Sequence, residues 1–174
     1  MTLKKLEKQY SPHQRMPFAG YAALTLVFNA LLFGVMKRRA RSVKLFDLFL
    51  TGVATHKLAR IITKDEVTSF IRAPFTRYQE SLGYGEVNEE VRQPGDLQVI
   101  GELLSCNYCM SAWVALGFFW GWSRFPRETR TLSGFFSVIA ISDFLHVLYE
   151  ERRTHANVLT LQEEERDHKR SSAA

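Results

Sequence analysis

The sequence predicts an all-α polytopic membrane protein, a small bundle of four transmembrane helices with both chain ends on the same side. Three observations carry this. Residues 17–36 and 103–122 contain no charged side chain, and each matches the ~20 residues a helix needs to cross a ~30 Å hydrocarbon core. Residues 45–62 and 131–149 are long enough to do the same while carrying a few charges. The Lys and Arg residues flank these runs, where they anchor helix ends and set topology, and they form no basic stripe with interleaved aromatics. A net charge of +5 therefore does not point to nucleic acid as a partner. The mean hydropathy of -0.14 averages apolar runs with charged loops.

Residues 1–16 form a basic N-terminal segment with Lys4, Lys5, Lys8 and Arg15. Pro17 suits the first turn of the first span, where a missing N–H is tolerated. This run exceeds the ~7–15 residues of a signal-peptide core. It ends in MKRRARSVK with no small-residue cleavage site, so the helix is read as retained. The second span, 45–62, is the least hydrophobic. From Gly52 its small and polar residues (Thr55, His56, Ala59, Arg60 and Thr63) fall on one side, as in a helix facing lipid on one side and protein or water on the other. An amphipathic helix lying on the surface is the competing reading. Asp47, near the opposite border, is expected to face headgroups or the neighbouring basic block.

Residues 63–95 make a long polar connection with Pro74, Gly83, Gly85, Pro94 and Gly95. Its VTSFIRAPFTRY segment alternates aromatics with arginines, which suits a segment resting on headgroups and equally a solvated loop. Asp96 is a candidate N-cap for the helix entering the third span, 103–122. That span ends in FFWGWSRF, an aromatic and arginine cluster of the membrane boundary, and Gly117 and Gly121 form a small-xxx-small pair. SRFPRETR leads to the fourth span, 131–149. The membrane domain thus covers 17–149, and residues 150–174 read as a charged, frayed tail. Thirteen Lys and Arg lie on the side shared by the N-terminus, the 63–102 segment and the C-terminus, against eight on the other, which favours N-in and C-in.

Four spans bring polar residues to one depth. His56 lies six residues before the end of span two, ~9 Å inside its border. Cys106 and Cys109 lie just inside the start of span three, and Asp143 and His146 just before the end of span four. With Lys57, Arg60 and Glu102 nearby, they form a candidate intramembrane polar cluster, and ionisable groups at such depth are costly unless paired or facing water. The Cys106-Asn107-Tyr108-Cys109 motif admits a thiol–disulfide role, a metal site with His56, or plain packing between helices. Asp143 can pair with Lys57 or Arg60, or join His56 and His146 in a proton or ion path.

The blocks THKLARIITKDEVTSFIRAPFTRY (55–78), GELLSCNYCMSAW (101–113) and SDFLH (142–146) resemble a family of bacterial multi-pass membrane proteins of unknown function, DUF1360. Some members are named as sporulation proteins. The resemblance covers about 45–150 and implies a core of three spans, with the first span here as an added N-terminal helix. It implies no catalytic residue. The family pattern includes Cys106 and Cys109, and Thr55, His56, Lys57 and Arg60.

The sequence holds no phosphate loop, no nucleophile–base pattern and no soluble domain large enough for a separate active site, which points away from an enzyme. The leading expectation is a non-enzymatic component of the bacterial cytoplasmic membrane that assembles with a membrane-protein partner or with itself. No cofactor is expected. A redox- or metal-dependent protein using Cys106, Cys109 and His56 is one alternative. A small ion or proton carrier is another.

Overall fold

A computed structural model describes residues 18–37, 43–92 and 97–172, with side chains as far as Gln162. The basic segment 1–16, Pro17, the middle of the 37–44 block, Pro94, Gly95 and the Asp96 cap lie outside the described residues. Helix α1 covers Phe18–Met36 and buries none of its side chains, with Leu26, Val27, Leu31 and Phe33 all exposed. Helix α2, Leu45–Thr63, matches the predicted second span to within a residue. A 3-10 turn at Glu66–Thr68 and the short helix α3, Ser69–Arg72, follow.

The 63–95 connection is not the loop that the sequence predicts. Thr76–Gly83 (β1) and Glu86–Val91 (β2) pair as an antiparallel hairpin with irregularities in register at Tyr78/Glu80 and Ser81/Gly83, so the fold is mostly helical with one small sheet. The turn between them has Tyr84 at φ 54° and Gly85 at 74°. Positive φ at both central residues gives the backbone twist that a two-residue hairpin loop needs. Glycine adopts this without cost, whereas Tyr84 does not. The strands escape sequence patterning because β1 is exposed beyond its first residue and β2, half-buried, is rich in glutamate, so neither shows a regular apolar alternation.

Helix α4, Gln98–Ser105, and helix α5, Asn107–Arg124, replace the single third span. They meet at Cys106, which is extended (φ -98°, ψ 105°), and their axes differ by 86°. Ser105, Cys106 and Asn107 are poor helix formers that compete for local hydrogen bonds, and Ser105 Oγ binds the Gly101 carbonyl at 2.8 Å. Helix α6 begins one residue after α5, with Pro126 opening it, and runs to Ser172. Residues 150–172, expected as a frayed tail, continue this helix.

Two described helices are long and apolar enough to cross a membrane, α1 and the Pro126–Gln162 part of α6, and the bent pair α4–α5 makes a third if it is one span. Helix α2 is not among them. The chain divides into two compact units, residues 1–137 and 138–174. In the first, α1 packs on α5 through Phe28 and Trp113, whose rings meet edge to face at 5.3 Å. Thr51 near the start of α2 accepts a hydrogen bond from Trp122 near the end of α5. Of the predicted glycine pair, only Gly121 marks a close approach: a Cβ there would lie 2.6 Å from Thr129 Oγ1, while one at Gly117 would meet nothing.

Candidate functional site

The hairpin folds back on the C-terminal end of α2. Val87 N–H donates to the Lys64 carbonyl at 2.9 Å and Glu66 N–H to the Gly85 carbonyl at 2.8 Å. Arg60 on the last turn of α2 then holds Glu86, with Nε 3.0 Å from Oε1.

Beneath this contact Arg72 is wholly buried. Its guanidinium forks onto Glu89 at 2.8 and 3.0 Å, and donates to the carbonyls of Ile62 and Asp65 and to Thr68 Oγ1 at 2.8–3.0 Å. All five N–H groups of the guanidinium are thereby used. Ile62 is in the last turn of α2, so one of these bonds satisfies a carbonyl the helix itself leaves open. Thr76 Oγ1 adds a bond to Glu89 Oε2 at 2.8 Å. Burial pushes the Glu89 carboxyl up, but the Arg72 fork, the Thr76 hydroxyl and nearby Lys64 outweigh it, and the net pKa lies below the ordinary carboxylate value.

Helix α4 packs against the root of the hairpin at Gly101, where a Cβ would sit 2.8 Å from Val91 and 3.1 Å from the Phe75 carbonyl. On the same helix Glu102 accepts from Gln98 at 2.8 Å and from the Tyr21 hydroxyl of α1. The chain then turns at Cys106. Its sulfur accepts the Cys109 backbone N–H at 3.2 Å and so caps α5. Both cysteines are free, Cys106 half-buried and Cys109 exposed. Beside them the Asn107 Oδ1 is buried without a hydrogen-bond partner.

Of the residues the sequence singles out, Cys106 and Cys109 are brought together at the head of α5, Arg60 is engaged by Glu86, and Glu102 by Tyr21 and Gln98. His56 is exposed on α2 and Lys57 half-buried beside it. Asp143 and His146 are exposed on α6 within the second unit. Among the described residues no group of three His, Cys, Asp or Glu side chains is placed to hold a metal ion.

Sequence reasoning missed Arg72, Glu89 and a second polar seam. Asp47, expected to face headgroups, is only 5% exposed and pairs with Arg130 Nε at 3.1 Å. Behind it Thr51 receives Trp122 Nε1 at 3.1 Å and lies 3.4 Å from Ser133 Oγ, and Ser137 donates to the Leu50 carbonyl at 2.7 Å. The signal was present in the four-residue steps Asp47, Thr51, Thr55 and Ser133, Ser137, since small hydroxyl residues at helical spacing are how helices approach closely in a membrane.

The profile of a family described as protein of unknown function (DUF1360) matches residues 50–149. The chain belongs to that family. The DUF1360 match takes in most of α2, the hairpin, α4, α5 and α6 as far as Tyr149, and leaves α1 and the outer part of α6 outside it. No curated protein and no solved structure matches the chain.

Proposed function

We propose that this DUF1360 protein is a non-enzymatic assembly component of a bacterial cytoplasmic membrane, crossing it four times with both ends inside. The observation that carries the assembly role is the length of α6. Its 47 residues make a helix about 70 Å long, more than twice the ~30 Å hydrocarbon core. The part that the bilayer does not hold includes residues 150–162, almost all exposed, with Val158, Leu159 and Leu161 among them. A helix of that composition standing in water on its own is a poor use of chain unless another protein surface or a second copy receives it.

The four-pass arrangement rests on α2. Its hydropathy is too low for a lone span, but its polar groups are used on neighbours: Thr51 on Trp122 and Ser133, Asp47 on Arg130, Arg60 on Glu86. Satisfied polar groups remove most of the penalty for placing such a helix in hydrocarbon. At 19 residues it is about 28 Å long, enough for one passage.

Two differently tagged copies crosslinked in native membranes test the assembly role. The full chain is expected to give a discrete adduct with itself or with a neighbouring membrane protein. A chain ending at Tyr149 is expected to stay in the membrane and lose that adduct. Absence of any adduct from the full chain defeats the reading. A C-terminal reporter fusion checks the orientation, and activity on the outer side refutes C-in.

A further inference from the structure

We propose that Cys106 and Cys109 form a dithiol–disulfide exchange site at the head of α5, oxidised by a low-molecular-weight disulfide. A cysteine pair spaced i, i+3 inside a regular helix is held by the helix ladder. Here Cys106 stands outside the ladder: its extended backbone swings the sulfur over the first turn, 3.2 Å from the Cys109 amide. One partner is the N-cap residue and the other lies in the first turn above it, so the bond would close over a single helical turn with the Cβ atoms about 3.5–4.5 Å apart.

The environment divides the two roles. Cys109 is exposed and meets an incoming disulfide first, whereas Cys106 is half-buried and held by the Cys109 N–H. That N–H lies against the Cys106 sulfur and holds it over the first turn of α5, where it can resolve a mixed disulfide formed on Cys109. The exchange balances in two displacements. The Cys109 thiolate attacks one sulfur of the incoming disulfide, forming a mixed disulfide and releasing the first thiolate. The Cys106 thiolate then attacks the Cys109 sulfur, the Cys106–Cys109 bond forms, and the second thiolate leaves. The two protons of the original thiols pass to the two released thiolates, and two electrons go from the pair to the small disulfide.

A purely structural crosslink is a poorer account. The ring would join residues three apart, and the stabilisation gained from restricting an unfolded chain grows with the length of loop closed. Nor does such a bond tie α5 to α1, α2 or α6.

The test uses the full chain in liposomes, equilibrated in glutathione buffers of graded oxidation and then labelled with a membrane-impermeant maleimide. The wild-type pair is expected to lose both labels together in a single two-electron transition, with no covalent dimer. Cys106→Ser keeps an oxygen that can cap the Cys109 amide, so α5 still starts correctly. In that variant the Cys109–glutathione adduct is expected to change from a transient species to the main product. Cys109→Ser is expected to leave Cys106 without a stable adduct. Thiols that never react from either side of the membrane, thiols that oxidise independently of each other, or a Cys106→Ser protein that accumulates no adduct would each overturn the proposal.

Discussion

Arg72 and Glu89 decide whether the hairpin stays on the end of α2. The guanidinium is fully buried and makes every bond available to it, while the Glu89 side chain is 7% exposed. Removing one partner of such a pair strands a buried charge and costs about 3–5 kcal/mol. Arg72→Met is therefore expected to free residues 76–91 for limited proteolysis in detergent while α1 and α5 remain protected. Arg72→Lys should not rescue, since a single ammonium cannot replace a planar fork carrying five donors. The same pair gives a pH dependence. Because the folded Glu89 carboxyl lies below its ordinary value of 4.5, its contribution is fully present above that value and disappears as pH falls through the lower, folded one. Amide protection factors across β2 are expected to be flat at neutral pH and to fall only below about pH 4.5.

At the level of elements, close approaches replace bulk as the organising device. Gly101 lets α4 lie against Val91 and Phe75, and Gly121 lets the start of α6 reach back to α5. Gly101→Val places a branched side chain where even a Cβ lies 2.8 Å from Val91. Overpacking of this kind typically costs about 1–3 kcal/mol. The variant is expected to separate α4 from the hairpin, read as a loss of the Tyr21–Glu102 contact in a crosslink between those positions. The helices at residues 18–36 and 45–63 were legible in the sequence, because apolar runs there meet flanking charged residues at each end. The hairpin was not, since Glu86, Glu89 and Glu90 give no apolar alternation, and its order comes from Arg72 and Arg60 binding those same glutamates. The break at Cys106 was equally hidden. An uncharged run of twenty residues reads as one rod, and hydropathy does not register a change of backbone direction. Of the candidate cluster, the i, i+3 spacing predicts both sulfurs on one face of a continuous helix, whereas the observed contact depends on the extended backbone of Cys106 at the start of α5. The pairing of Asp47 with Arg130 depended on α6 beginning one residue after α5, which no composition rule states.

For the whole molecule, the described helices differ greatly in how much they depend on one another. Helix α1 has no fully buried residue and touches its neighbours only through side chains such as Tyr21 and Phe28, whereas α2 places Asp47, Thr51 and Arg60 against α5, α6 and the hairpin. This sets an order of events during synthesis. As α2 emerges from the ribosome, Trp122, Arg130 and Ser133 have not been made, and its polar groups have nothing to bind but water. A nascent chain ending after Lys64 should leave α2 on the far side of the membrane, and a reporter fused there should face outward. The same reporter inserted after Lys64 in the full chain should face inward. In the four-pass reading, the second crossing is completed last, when translation has passed residue 137 and the hydroxyls of Ser133 and Ser137 arrive to close it.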